Sequence, residues 1–282
     1  MASVLAAQLY TLRDFTRTPA DIARTMKRVK EIGYDAVQCS ALGPIEPAEL
    51  AKILKGEGLT CCATHVPFDR ARDEPEKLAD EHRVIGCKYP ALGSMPGADY
   101  PRTLDGFTRF AKDLGAVSRR LKELGLVFGY HNHSFEFEKY DNGKTGMDVL
   151  FEQSDPSLTF EVDTYWVQHG GADPAAWVRK FAGRIPLVHL KDMVVGEDMT
   201  AGIPLRYPGE ADEDYEKRAA KAREKRPIMA EVGEGNMNWS TILPACRDAG
   251  VEWYIVEQDT CQRDPFESLA ISLRNLKGMG VR

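Results

Sequence analysis

No apolar run in this chain approaches the roughly 20 residues that a membrane-spanning helix requires, so a membrane partner is not expected. Positive charge is also in short supply: 37 Lys and Arg stand against 43 Asp and Glu, a net charge of −6. Proteins that grip phosphate backbones carry the opposite excess. A nucleic-acid partner is therefore disfavoured, whereas a small sugar is not. Cysteine occurs at Cys39, Cys61, Cys62, Cys87, Cys246 and Cys261 with no C-x-x-C pair. Most of these lie in or beside apolar runs, so buried free thiols in a reducing cytoplasm are the expectation. The first residues lack a basic region and soon reach Arg13 and Asp14; no signal peptide is expected, and the location read from this is cytoplasmic. No G-x-G-x-x-G follows the first apolar run, and no repeat, low-complexity tract or interdomain linker interrupts the chain.

What is present is a regular alternation. Apolar, strand-like runs fall at residues 4–9, 36–39, 59–64, 89–92, 126–131, 158–162, 185–190 and 253–256. Amphipathic patterns separate them. Ile22, Met26, Val29 and Ile32 share one helical face, and Leu104, Phe107, Phe110, Leu114, Val117 and Leu121 share another. Gly33, Gly58, Gly125 and Gly250 each sit where a helix should stop and a strand begin. Eight strand–helix units over 282 residues predict an α/β fold, a (β/α)8 TIM barrel forming a single domain over 1–282. A doubly wound sheet is the alternative, disfavoured by the missing dinucleotide fingerprint. The longest irregular stretch, 192–225, makes an insertion of about 192–230 after the seventh strand. It reads as a surface insertion or as a segment that covers the mouth or reaches a neighbouring subunit.

The chemistry collects at strand ends. Thr64-His65 closes the third strand, His131-Asn132-His133 the fifth, Asp163 the sixth, His189 the seventh and Glu257-Gln258-Asp259 the eighth. A buried strand has no structural use for a charged tip, and in a barrel these tips face one mouth. A mixed carboxylate and imidazole set suits one divalent metal ion: Mn, Mg, Co or Zn. A single polar strand end is more often a cap; the joint pattern carries the expectation. Gly233-Glu234-Gly235 reads either as a tight turn or as backbone amides for a phosphate or sugar hydroxyl. His169, before Gly170-Gly171, reads as a loop ahead of the helix start at Asp173-Pro174.

The segments Gln8-Leu9-Tyr10-Thr11-Leu12-Arg13, Asp163-Thr164-Tyr165-Trp166, Val188-His189-Leu190-Lys191-Asp192, Glu231-Val232-Gly233-Glu234-Gly235 and Val256-Glu257-Gln258-Asp259 resemble the xylose isomerase-like TIM-barrel superfamily. That group holds sugar and sugar-phosphate isomerases and epimerases, inosose dehydratases and endonuclease IV. The resemblance spans nearly the whole chain and implies metal ligands Asp163, His189 and Glu257. The family's fifth-strand glutamate falls on His131 in this register, with Glu136 beyond the strand end, as in a branch carrying H-N-H-x-x-E-F. Either His131 ligates or Glu136 folds back; Glu136 is preferred because a carboxylate keeps the site's usual charge. The resemblance also implies that His65 contacts substrate oxygens, against the plain reading of a core histidine. Lys191 is expected to pair with a barrel carboxylate or sit at the rim, and Tyr165 and Trp166 to wall a sugar ring or simply pack.

The function expected is a metal-dependent isomerase or epimerase of a sugar or keto-sugar. A cation would polarise the carbonyl and stabilise an enediolate. Glu257 is the expected base, with His131, His133 and His65 as the other catalytic groups. Expelling a neighbouring oxygen instead gives a lyase or dehydratase with the same first step, acting on a keto-sugar, keto-glycoside or inosose. A non-catalytic sugar-binding or partner subunit is a further alternative, and a repair nuclease would need more histidines and a basic groove. A small-molecule sugar is the expected partner, and a homo-oligomer is left open.

Overall fold

The computed structural model describes residues 4–195, 206–223 and 228–282. Its strands are β1 (Val4–Gln8), β2 (Ala36–Cys39), β3 (Thr60–His65), β4 (Pro90–Leu92), β5 (Gly129–His131), β6 (Thr159–Asp163), β7 (Leu187–Leu190), β8 (Asp192–Val194), β9 (Ile228–Ala230) and β10 (Trp253–Val256). Eight of them close into a barrel in the order β1-β10-β7-β6-β5-β4-β3-β2. Every pairing in that ring is parallel. This is the expected (β/α)8 architecture in a single domain.

The helices form where the apolar spacing put them. Helix Pro19–Ile32 opens on a capping box between Thr18 and Asp21, buries Ile22, Met26 and Val29, and ends at Gly33 with φ 108°. That left-handed turn is open to glycine at no steric cost. Helix Leu104–Glu123 buries Phe107, Phe110, Leu114, Val117 and Leu121 against the barrel. A side chain of this kind, wholly buried, contributes about 1.5–3 kcal/mol, so the helical jacket and the sheet stabilise each other.

The barrel interior has its own small core: Ala6, Ala36, Cys62, Ala63, Tyr89, Leu187 and Ile255. Side chains two residues apart on a strand share a face. Gln38 therefore follows Ala36, His65 follows Ala63, His189 follows Leu187 and Glu257 follows Ile255 into the upper barrel. An apolar floor thus carries a polar layer at the carboxyl ends of the strands.

The stretch after the seventh barrel strand is more ordered than its composition suggests. β8 pairs antiparallel with β9, placing Met193 opposite Met229. Both methionines are buried, which is the physical reason the segment does not behave as plain loop. Helix Asp212–Arg223 lies between the two strands. Residues 196–205 and 224–227, part of the expected lid, lie outside the described residues. The six cysteines are unpaired thiols, five of them buried. Among the described residues no helix is long and apolar enough to cross a membrane.

Candidate active site

Four side chains from successive strand ends meet at one point. The ligand-capable atoms of His131, Asp163, His189 and Glu257 all lie within 4.8 Å of one another, and all four residues are buried. Asp163 ends β6 and caps the next helix: one carboxylate oxygen accepts the Trp166 amide N–H at 3.0 Å. The other, Oδ2, is left for the mouth. His189 stands beside it in register, Asp163 pairing with His189 across β6 and β7.

Hydrogen-bond bookkeeping says which way the imidazoles present themselves. His131 Nδ1 lies 3.1 Å from the Gly93 carbonyl oxygen. A carbonyl only accepts, so this nitrogen carries the proton and Nε2 faces Asp163 Oδ2 at 3.3 Å. His189 Nε2 lies 2.6 Å from the Gln38 amide oxygen, so Nε2 carries its proton and Nδ1 faces Glu257 Oε2 at 2.9 Å. Two ring nitrogens and two carboxylate oxygens therefore aim at one spot. This donor set fits a divalent ion of the manganese, cobalt or zinc kind. Burial pulls the His189 pKa down, but the Glu161 and Glu257 carboxylates outweigh it and push the value up to about 10.

Lys191 supplies fixed positive charge beside the group. Its ammonium is 1% exposed and sits 2.9 Å from Asp163, 2.7 Å from Glu257 and 3.0 Å from Asp259. Burial disfavours the charge, and these three carboxylates outweigh it and raise the pKa well above the ordinary lysine value. Strand alternation does not apply, because β7 ends at Leu190; the side chain is free to turn inward and pair, as one of its two expected placements required. Burial raises the Glu257 pKa, but Lys191 and His189 hold it well below the usual carboxylate range. Asp259 moves the other way, raised by burial and by the charge of Glu257.

Glu136 does not join the group, contrary to the preference drawn from the sequence. Beyond β5 the chain makes a 3-10 turn at Phe135–Phe137. The buried Glu136 carboxylate closes that turn, accepting the Tyr130 hydroxyl at 2.6 Å and the His133 amide N–H at 2.9 Å. Both oxygens are thereby engaged away from the mouth, and His131, the last residue of β5, takes the fifth-strand position. Burial lifts the Glu136 pKa to about 7 against those hydrogen bonds.

A second layer escaped the sequence reading. Glu161, fully buried on β6, lies 2.6 Å from His65 Nε2 and 3.1 Å from His189 Nε2. Gln38 donates its amide to Glu161 at 2.7 Å. The signal was available: in Thr159-Phe160-Glu161-Val162-Asp163, alternation places Glu161 on the same inward face as Asp163.

A cavity of about 260 Å³ opens beside the group, and His65, His131, His133, Trp166, Lys191 and Glu257 are among the residues lining it. His133 Nδ1 and Trp166 Nε1 are buried without a hydrogen-bond partner. Burial, then the neighbouring His131, lowers the His133 pKa to about 3, so this ring is neutral. Tyr165 is 2% exposed and belongs to the core between barrel and helices; only Trp166 walls the cavity. His169 stacks on Tyr165 with ring centroids 5.7 Å apart. The amides of Gly233 and Gly235 are taken by Asp192, at 2.9 and 3.3 Å. The anion bound by that turn is the chain's own carboxylate. A Cβ on Gly235 would lie 2.4 Å from Asp192 Oδ1, so the close approach requires glycine there.

An inosose dehydratase from Geobacillus kaustophilus is 27% identical over 192 residues, covering 60% of this chain and 61% of that enzyme. The chain thus matches about three fifths of the length of that relative. Among solved structures, a sugar phosphate isomerase/epimerase from Parabacteroides distasonis superposes with a TM-score of 0.75 at 20% identity, over 100% of this chain and 96% of that one. An L-ribulose 3-epimerase gives 0.67 at 16% identity, over 99% and 94%. These two likenesses establish the fold alone. A sequence profile described as xylose isomerase-like TIM barrel matches residues 26–278, and the chain belongs to that family.

Proposed function

We propose that the chain is a divalent-metal-dependent isomerase or epimerase of a sugar or keto-sugar that begins by removing a proton next to a carbonyl. The observation that carries this reading is the convergence of His131 Nε2, Asp163 Oδ2, His189 Nδ1 and Glu257 Oε2 beside a cavity of sugar size. A cation held by those four residues would supply Lewis-acid polarisation of the carbonyl.

The remaining work falls to the chain's own side chains. The Lys191 ammonium, fixed by its three carboxylates, lines the cavity as a positive charge that favours developing negative charge on oxygen. Trp166 gives the ring of a sugar an apolar wall, while the unpartnered His133 and Trp166 nitrogens meet hydroxyls. Two groups are placed to take the proton. Glu257 is one, although Lys191 and His189 depress its proton affinity. His65 is the other; it is a neutral imidazole whose Nδ1 faces Ser40 and the cavity.

A second reading is dehydration, favoured by the inosose dehydratases among the sequence relatives. The raised Asp259 carboxyl, on the cavity wall, would act as the acid that protonates a departing hydroxide.

The test is metal analysis of the purified protein, followed by NMR of keto-sugars and inososes in deuterated water. Deuterium at the carbon next to the carbonyl together with a new epimer or isomer supports the first reading. Loss of one water supports the second. A metal-loaded protein that exchanges no such proton in any of these compounds refutes both. Comparing Glu257→Gln with His65→Gln then assigns the base.

A further inference from the structure

We infer that Glu161 is a shared positioning residue, one buried carboxylate that sets the proton positions of the ligand imidazole His189 and the cavity imidazole His65 together. The inference rests on the proposed cation site and deepens it.

An ionised carboxylate only accepts hydrogen bonds. Glu161 Oε2 lies 2.6 Å from His65 Nε2, so that nitrogen carries the proton. His65 Nδ1 is then left as a lone pair 3.2 Å from Ser40 Oγ, and both residues line the cavity. At Nδ1 His65 therefore accepts, from Ser40 or from a substrate hydroxyl, and does not donate into the cavity. On its other oxygen Glu161 accepts the Gln38 amide N–H at 2.7 Å. That bond determines which end of the amide points where. Turned round, two acceptor oxygens would face each other. With the nitrogen spent on Glu161, the Gln38 oxygen faces His189 Nε2 at 2.6 Å and obliges that nitrogen to keep its proton. The His189 lone pair is thereby directed from Nδ1 to the point shared with Asp163, His131 and Glu257.

A carboxylate is a costly way to fill a barrel interior. Glu161 is fully buried and pairs in register with Leu187 of the apolar floor, where an apolar residue would extend the floor without desolvating a charge. Its three nitrogen partners, at Gln38, His65 and His189, are the groups whose orientation the site needs. Partners of this kind typically change metal affinity by about 10–100-fold when removed.

The experiment uses full-length protein labelled with ¹⁵N at histidine, wild type and Glu161→Gln, without metal and with zinc. Long-range ¹H–¹⁵N correlations read the tautomer of each imidazole, and calorimetry reads zinc affinity. The expected result is His65 protonated on Nε2 in wild type, and His189 protonated on Nε2 with zinc bound. In Glu161→Gln the His65 signature should be lost and the zinc dissociation constant should rise about 10–100-fold. A wild-type His65 protonated on Nδ1, or a Glu161→Gln with unchanged tautomers and affinity, overturns the inference. The wild-type spectra decide even if the variant does not fold. If wild type takes up no zinc, the cation reading falls by itself, and the tautomer of metal-free His65 still supports or overturns the role of Glu161.

Discussion

Replacing Lys191 by methionine removes a positive charge that touches Asp163, Glu257 and Asp259 together while keeping most of the buried aliphatic stem. The ammonium is 1% exposed and lies within 3.0 Å of all three carboxylates. Removing one partner of a buried ion pair costs about 3–5 kcal/mol, because the other charge stays behind without compensation. The lower end applies here: Asp259 is 24% exposed, and burial and the charge of Glu257 raise its pKa. Asp163 and Glu257 also keep the charge of His189, whose Nδ1 lies 3.9 and 2.9 Å from them. A loss of about 3 kcal/mol in a domain of this size lowers the thermal midpoint by about 6–12 °C. That drop is expected in chelator. A divalent cation brings charge to the same carboxylates, and a ligand at a hundred times its dissociation constant stabilises by about 2.7 kcal/mol. Excess manganese should therefore recover most of the loss, and the metal-induced rise in midpoint should be larger in Lys191→Met than in wild type. The assay is differential scanning fluorimetry of both proteins with chelator and with manganese. An unchanged midpoint in chelator would show that the ammonium does not balance these carboxylates. A full drop that manganese does not relieve would show that they do not form a cation site.

Other outcomes follow from particular groups. His189 has its pKa raised to about 10, so at neutral pH its Nδ1 holds a proton that a cation must displace; manganese affinity should rise by about tenfold per pH unit below that value, measured as proton release in buffers of different ionisation enthalpy, and a flat profile counts against His189 as ligand. Glu136 has a folded pKa of about 7 against 4.5. Its stabilising contribution is present below 4.5 and lost as pH rises through 7. Wild type should therefore lose about 3 kcal/mol relative to Glu136→Gln across that window, as read by urea unfolding below and above it; parallel behaviour refutes the burial of an ionising Glu136. Asp192 accepts N–H bonds from Met193, Gly233, Gly235, Met237 and the Trp239 indole. Asp192→Asn should cost about 3 kcal/mol or more in urea unfolding with unchanged manganese affinity, and a shift confined to metal binding would reassign the residue to the cation site.

The barrel was legible in the sequence because it depends on local periodicity. Strand runs such as Trp253–Val256 and helix faces such as Ile22, Met26 and Val29 are readable wherever they stand. The strand-end positions of His131, Asp163, His189 and Glu257 were legible for the same reason: the parallel barrel brings every carboxyl end to one mouth. What the sequence could not decide is where each side chain turns once it is there. Glu136 and His131 lie five positions apart in the chain, and only the 3-10 turn and the Tyr130 hydroxyl send the carboxylate away while leaving the imidazole inward. The Gly233-Glu234-Gly235 turn reads locally as an anion site, yet Asp192, 41 residues away from Gly233, occupies it. Gln38 meets His189 across 151 residues and Glu161 across 123. Hydrogen bonds at such separations carry no local sequence pattern, so the proton arrangement of the site belongs to the closed barrel and to no single segment of the chain.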